Sequence, residues 1–137
     1  MKVAYEAHHG QTDRSGVPYI FHPFYVDEQM DDELSTCTAL LHDVVEDTEI
    51  SFEDLAGEFP EEVVEALHFL TRDKSMNYFD YIRNLRKNLI AKKVKQADLL
   101  HNSDVTRLAD CENISDRQIS RLQGRYRRAL EILSEST

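Results

Sequence analysis

One histidine and three carboxylates are gathered in the stretch Ala39-Leu40-Leu41-His42-Asp43-Val44-Val45-Glu46-Asp47-Thr48. The apolar spacing predicts the last turns of a buried helix that ends in an acidic cluster. Each helical residue advances by about 100°, so with His42 at zero Asp43 falls at about 100°, Glu46 at about 40° and Asp47 at about 140°. One imidazole and three carboxylates then share one sector of the helix, and Leu40, Leu41, Val44 and Val45 are left for the core. Like charges at this spacing repel by roughly 0.2–0.5 kcal/mol per pair, and by more where water is excluded. A divalent cation is the simplest compensation. A solvated acidic tail at a helix C-terminus is the other reading of the same ten residues.

Two more positions bear on that choice. His22 stands in Pro18-Tyr19-Ile20-Phe21-His22-Pro23, and Asp98 in Val94-Lys95-Gln96-Ala97-Asp98-Leu99-Leu100-His101-Asn102. An Asp among Val94, Ala97, Leu99 and Leu100 is poorly explained as a surface residue, and buried carboxylates are usually paired or metal-bound. Taken singly, His22 is a cap-like residue before a helix and Asp98 the partner of a nearby Arg or Lys. Taken jointly, His22, His42, Asp43 and Asp98 make a two-His, two-carboxylate set with one or two coordination positions left for water. Mixed nitrogen and oxygen ligation suits Mn²⁺, Fe²⁺, Zn²⁺ or Ni²⁺ and disfavours Ca²⁺.

The elements that must position these residues are helical. Prolines (three) and glycines (four) are too sparse for an all-β chain, and no alternating strand pattern occurs. The spacing predicts a short helix over Val3 to His8, a polar loop from Gly10 to Gly16, and a helix from His22 to Met30 with Pro23 in its first turn. A helix after Asp31-Asp32-Glu33 runs to Asp47. Ser51-Phe52-Glu53-Asp54 has capping-box spacing and opens a helix to Glu58. Pro60 starts the next, with Val63, Val64, Leu67 and Leu70 as its apolar stripe. Helices over Asn77–Asn88, Ala91–Ala109 and Ser115–Leu133 complete an all-α, irregular orthogonal bundle, with Tyr78 and Tyr81 in its core.

The 137 residues fit one domain, 1–137, without staples. No apolar run spans a bilayer and no signal-peptide pattern opens the chain, so a cytoplasmic protein without a membrane partner is expected. Cys37 and Cys111 match no metal spacing, and Cys37 reads as a buried thiol. A net charge of −10 argues against a nucleic-acid polymer as partner. Residues 1–70 carry 17 Asp/Glu against only Lys2 and Arg14, whereas residues 71–137 carry 14 Lys/Arg against 9 Asp/Glu. That asymmetry allows a cleft with metal on one wall and phosphate-binding cations on the other; solvated helix faces are the alternative. Candidate cations are Arg14, Lys95, Arg83, Arg86, Lys87, Lys92, Lys93, Arg121 and Arg125. Oligomeric state is left open.

The ordered pattern His…His-Asp…Asp resembles that of the HD superfamily of metal-dependent phosphohydrolases. The string His42 to Thr48, with the blocks Ala7-His8-His9-Gly10-Gln11, Gly16 to Pro23 and Val94 to Asn102, is similar to the hydrolase domain of RelA/SpoT homologues and to small stand-alone alarmone hydrolases. The resemblance covers about residues 3–133. It implies an HD-domain helical bundle, one Mn²⁺ held by His22, His42, Asp43 and Asp98, and hydrolysis of the 3′-diphosphate of (p)ppGpp, a small phosphorylated nucleotide. By the same carry-over Glu46 and Asp47 act on the attacking water, Asn102 contacts the nucleotide, and Arg14 and Lys95 rank first among the cations. The sequence departs from the larger enzymes at Asp13, where a second basic residue is common, and at Ser103-Asp104-Val105. His68 alone lies between Asp43 and Asp98, which implies one metal rather than two; His8, His9 and His101 are read as outer-layer or solvated residues and His68 as a core or boundary one. The rival functions are an HD nucleotidase or phosphatase on another phosphorylated nucleotide, and an alarmone-binding module without turnover.

Overall fold

Side-chain caps set where most helices begin, because the first N–H groups of a helix lack intrahelical acceptors. The computed structural model describes residues 2–12, 18–103 and 115–135. In chain order the helices are α1 (Lys2–His8), α2 (Phe21–Glu28), α3 (Glu33–Leu41), α4 (Val44–Asp47), α5 (Phe52–Ala56), α6 (Glu61–Leu70), α7 (Tyr78–Leu85), α8 (Leu89–Asn102) and α9 (Asp116–Ser134). Asp32 caps α3, Asn77 caps α7 and Asn88 caps α8, each accepting from backbone N–H groups of the first turn. Ser51 with Asp54, and Ser115 with Gln118, form reciprocal capping boxes at α5 and α9. The all-α expectation holds: among the described residues the only bridge is the isolated Thr12–Pro18 pair. Asp13, Arg14, Asp104 and Cys111 lie outside the described residues.

The helix expected to run unbroken to Asp47 is interrupted. α3 stops at Leu41, and Asp43 sits at φ −106°, ψ 0° before α4 begins. In an unbroken helix the carbonyl of Ala39 would accept from the Asp43 N–H. Here His42 Nδ1 lies 2.6 Å from that carbonyl instead. The break swings His42 and Asp43 toward one point, which the 100° spacing of a regular helix would not do. α2 begins at Phe21 rather than His22, so Pro23 is its third residue, still within the turn where a missing N–H costs nothing. Cys37 is a half-buried free thiol.

α3 is the central element and packs against α2, α6 and α8, while α9 closes over α7 and α8. One apolar cluster joins Leu40, Leu41 and Val44 to Leu55, Val63 and Leu67. A second joins Val26 and Ala39 to Leu70, Ala91 and Val94. A third sets Tyr81, Ile82 and Leu85 against Leu99, Ile132 and Leu133. The second cluster ties α2, α3 and α8 together, and these are the helices that bear the chemistry-bearing residues. No described helix is long and apolar enough to cross a membrane.

Candidate metal centre

α2 supplies His22, the α3–α4 break supplies His42 and Asp43, and α8 supplies Asp98. One ligand atom from each lies within 4.8 Å of all the others. His22 Nε2 is 2.8 Å from Asp98 Oδ1, and His42 Nε2 is 3.3 Å from the same oxygen. The two Nε2 atoms are 3.3 Å apart, and Asp43 Oδ2 lies 3.1 Å from His42 Nε2 and 3.8 Å from His22 Nε2. His22, His42 and Asp98 are buried. The four residues expected as ligands are therefore brought together.

The surroundings fix which ring nitrogen faces inward. His42 Nδ1 donates to the Ala39 carbonyl, which leaves Nε2 as the nitrogen able to ligate. His22 Nδ1 lies 2.6 Å from His101 Nδ1, and the His101 ring stacks on Tyr25 at 4.0 Å. Burial works against a charged Asp43, but the neighbouring His42 prevails and holds its carboxyl down at about 2. Asp98 is likewise desolvated, yet the Lys95 ammonium and the two imidazoles keep it well below the carboxylate range. Burial opposes charge on His42 too, and Asp43 and Asp98 overcome it and raise its pKa. Two ionised carboxylates facing two imidazole Nε2 atoms in a buried cluster are a donor set that fits a mixed N/O cation site. Protons compete with such a cation as pH falls, because His42 must be neutral to ligate.

A further layer holds the carboxylates. Lys95 Nζ donates to Asp98 Oδ2 at 3.0 Å and Asn102 Nδ2 to Asp98 Oδ1 at 3.1 Å. Both residues expected at the nucleotide thus also orient a ligand. The Tyr19 hydroxyl donates to Asp43 Oδ2. Burial and the Asp43 charge push that hydroxyl far above its ordinary pKa, so it stays a donor at any working pH. Tyr19→Phe should keep the fold and weaken metal affinity by about 10–100-fold, the usual cost of losing an outer-layer partner. A metal titration checks this, and unchanged affinity would show that the bond orients nothing.

Glu46 and Asp47 stand at the rim, on α4. Glu46 Oε1 accepts from the Arg72 backbone N–H at 2.6 Å. Desolvation raises both carboxyls from their ordinary values, and the Asp43 charge adds to the effect. Gln11 Nε2 donates to the Asp47 carbonyl, while Gln11 Oε1 lies 2.8 Å from His8 Nδ1. His8 is buried, and its Nε2 has no hydrogen-bond partner among the described residues. His9 is exposed against Tyr5, and His68 is exposed and stacked on Phe52, away from the four-residue cluster. Tyr81 is in the core as expected, and Tyr78 is half-buried with Arg125 over its ring at 3.7 Å.

Sequence reasoning assigned no role to Tyr19, Tyr25, Gln11 or Arg72. Tyr19 and Gln11 sit inside motif blocks, so their position was a usable signal. Arg72 acts on Glu46 through its backbone, which no side-chain pattern reveals.

No family model matches the chain. Individual proteins do. It is 32% identical over 120 residues to the guanosine-3′,5′-bis(diphosphate) 3′-pyrophosphohydrolase of Borreliella burgdorferi, covering 74% of this chain and 18% of that protein. It is 35% identical over 115 residues to the bifunctional (p)ppGpp synthase/hydrolase SpoT of Escherichia coli, covering 73% of this chain and 16% of that one. The chain thus spans less than a fifth of the length of these curated relatives. A solved metazoan ortholog of SpoT, described as hydrolysing ppGpp with a role in starvation responses, superposes with a TM-score of 0.86 at 27% identity, covering 99% of this chain and 84% of that one.

Fold and cluster define an all-α HD bundle with a His/Asp site able to hold a metal. Within that class, the chain resembles the RelA/SpoT-type HD hydrolases in sequence and in fold.

Proposed function

We propose that this chain is a metal-dependent hydrolase that removes the 3′-diphosphate from (p)ppGpp, giving GDP or GTP and pyrophosphate. His22, His42, Asp43 and Asp98 would hold one ion, with Mn²⁺ as the expected metal. The observation that carries the reading is the convergence of those four ligand atoms beside Glu46 and Asp47, in a chain whose relatives bear names for this activity. When bound, the metal supplies Lewis acidity toward a phosphate oxygen and makes an attacking water more acidic.

The chain's own residues do the rest. Glu46 or Asp47 takes the water's proton, and a carboxyl raised by desolvation is a stronger base than an ordinary one. The Arg72 N–H restricts Glu46 to one orientation. Tyr19, Lys95 and Asn102 hold the ligand carboxylates in place, and the Lys95 charge stands against Asp98 at the proposed metal centre. Lys95 and Asn102, together with Arg14, are the proposed nucleotide contacts.

The test is product analysis with ppGpp and Mn²⁺. GDP and pyrophosphate should appear, and EDTA should abolish both. Intact ppGpp beside hydrolysis of another phosphorylated nucleotide would overturn the substrate, while binding without turnover would make the chain a sensor.

A further inference from the structure

A guanosine tetraphosphate carries two diphosphates, and the metal centre accounts for one. The other needs cations, and several cations on the described surface are engaged by carboxylates. Arg83 is bonded to Asp80, Arg86 to Glu135, Lys93 to Asp31 and Asp32, and Arg128 to Glu131. Lys95 is held by Asp98.

Arg72, Lys74 and Arg125 are among the cations that form no ion pair with a carboxylate among the described residues, and they stand near the proposed catalytic pair or the Tyr78 ring. Two of them are drawn together. Arg72 lies 5.6 Å and Arg125 3.7 Å from the centroid of the same Tyr78 ring. The Arg72 guanidinium is braced by Nε and Nη2 bonds to the Met76 carbonyl, at 3.2 and 3.1 Å. Like charges gathered around one ring repel, and an anion relieves that repulsion. Beside them is a cavity of about 730 Å³ lined by Val45, Glu46, Asp47, Thr71, Arg72 and Lys74. The proposed catalytic pair and two cations share its lining. A space lined by both the proposed catalytic pair and two cations suits a phosphate group remote from the scissile bond.

We infer that this cavity is the subsite for the substrate's 5′-diphosphate, bound by Arg72 and Lys74 with Arg125 adding positive charge across Tyr78. The inference rests on the proposed hydrolase reading, because it assigns the second diphosphate of that substrate. Guanidinium supplies bidentate contacts to phosphate and the lysine a mobile point charge, so the pair discriminates by charge rather than by base.

The test compares GDP and guanosine binding to the wild type by calorimetry, then repeats it with Lys74→Gln and Arg72→Gln. Wild type should prefer GDP, and each variant should weaken GDP by about fivefold to tenfold while leaving guanosine unchanged. In turnover the same variants should raise KM for ppGpp rather than lower kcat, and Lys74→Arg should restore it. Should Arg72→Gln fail to fold without its Met76 bonds, the exposed Lys74 decides alone. Equal GDP affinity in wild type and Lys74→Gln, or no preference for GDP over guanosine, overturns the subsite. If ppGpp is not hydrolysed but Lys74→Gln still loses GDP, the subsite stands and the hydrolase reading fails.

Discussion

Asp98→Ala is expected to purify without transition metal and to lose turnover. Asp98 Oδ1 is the atom on which both ligand imidazoles and the Asn102 amide converge, and Oδ2 holds Lys95. Its loss removes one ligand and the anchor of two neighbours. It also leaves Lys95, whose side chain is only 14% exposed, as an unpaired charge. Breaking a buried pair from one side costs roughly 3–5 kcal/mol, so a lower melting temperature should accompany the loss of metal. His42→Ala should lose metal without stranding that lysine, which separates ligation from stability. Metal analysis of the two variants checks both, and full metal content in either contradicts the site.

Glu46→Gln should behave in the opposite way. The amide oxygen can still accept from the Arg72 N–H, so the rim keeps its shape. What disappears is the capacity to take a proton, and turnover should fall by about tenfold to a thousandfold with metal content unchanged. The raised carboxyl pKa has a pH consequence of definite sign. The base form of Glu46 is lost as pH falls through a value above the ordinary Glu range, so the acid limb of the wild-type rate profile should lie higher than an unperturbed carboxylate would give. Asp47→Asn is the companion variant. Near-wild-type rates in both would mean that neither residue is the base.

The four candidate ligands were legible in the sequence because each carries a signal that a surface residue lacks. Asp98 stands among apolar neighbours, and His42 ends an apolar helix. The capping box at Ser51 and the Pro60 helix start were legible for a similar reason, as local chemistry decides them. The break at His42–Asp43 was not, since it depends on the ring of His42 engaging the Ala39 carbonyl, a choice that periodicity cannot register. Lys95 read as a candidate phosphate-binding cation, with Asp98 paired to a nearby Arg or Lys as the alternative reading, and the structure joins the two at i,i+3. The Arg72–Tyr78–Arg125 grouping joins a loop, α7 and α9, and such long-range meetings leave no trace in local spacing.

The proposed reading is one metal, held by His22, His42, Asp43 and Asp98, that supports ppGpp hydrolysis by this chain. The most direct test is to strip the protein with chelator, titrate Mn²⁺ back, and follow pyrophosphate release from ppGpp together with bound metal. Activity should be absent at first and saturate at one equivalent per chain. Pyrophosphate release that persists in the metal-free protein, or that needs a second equivalent, would contradict the account.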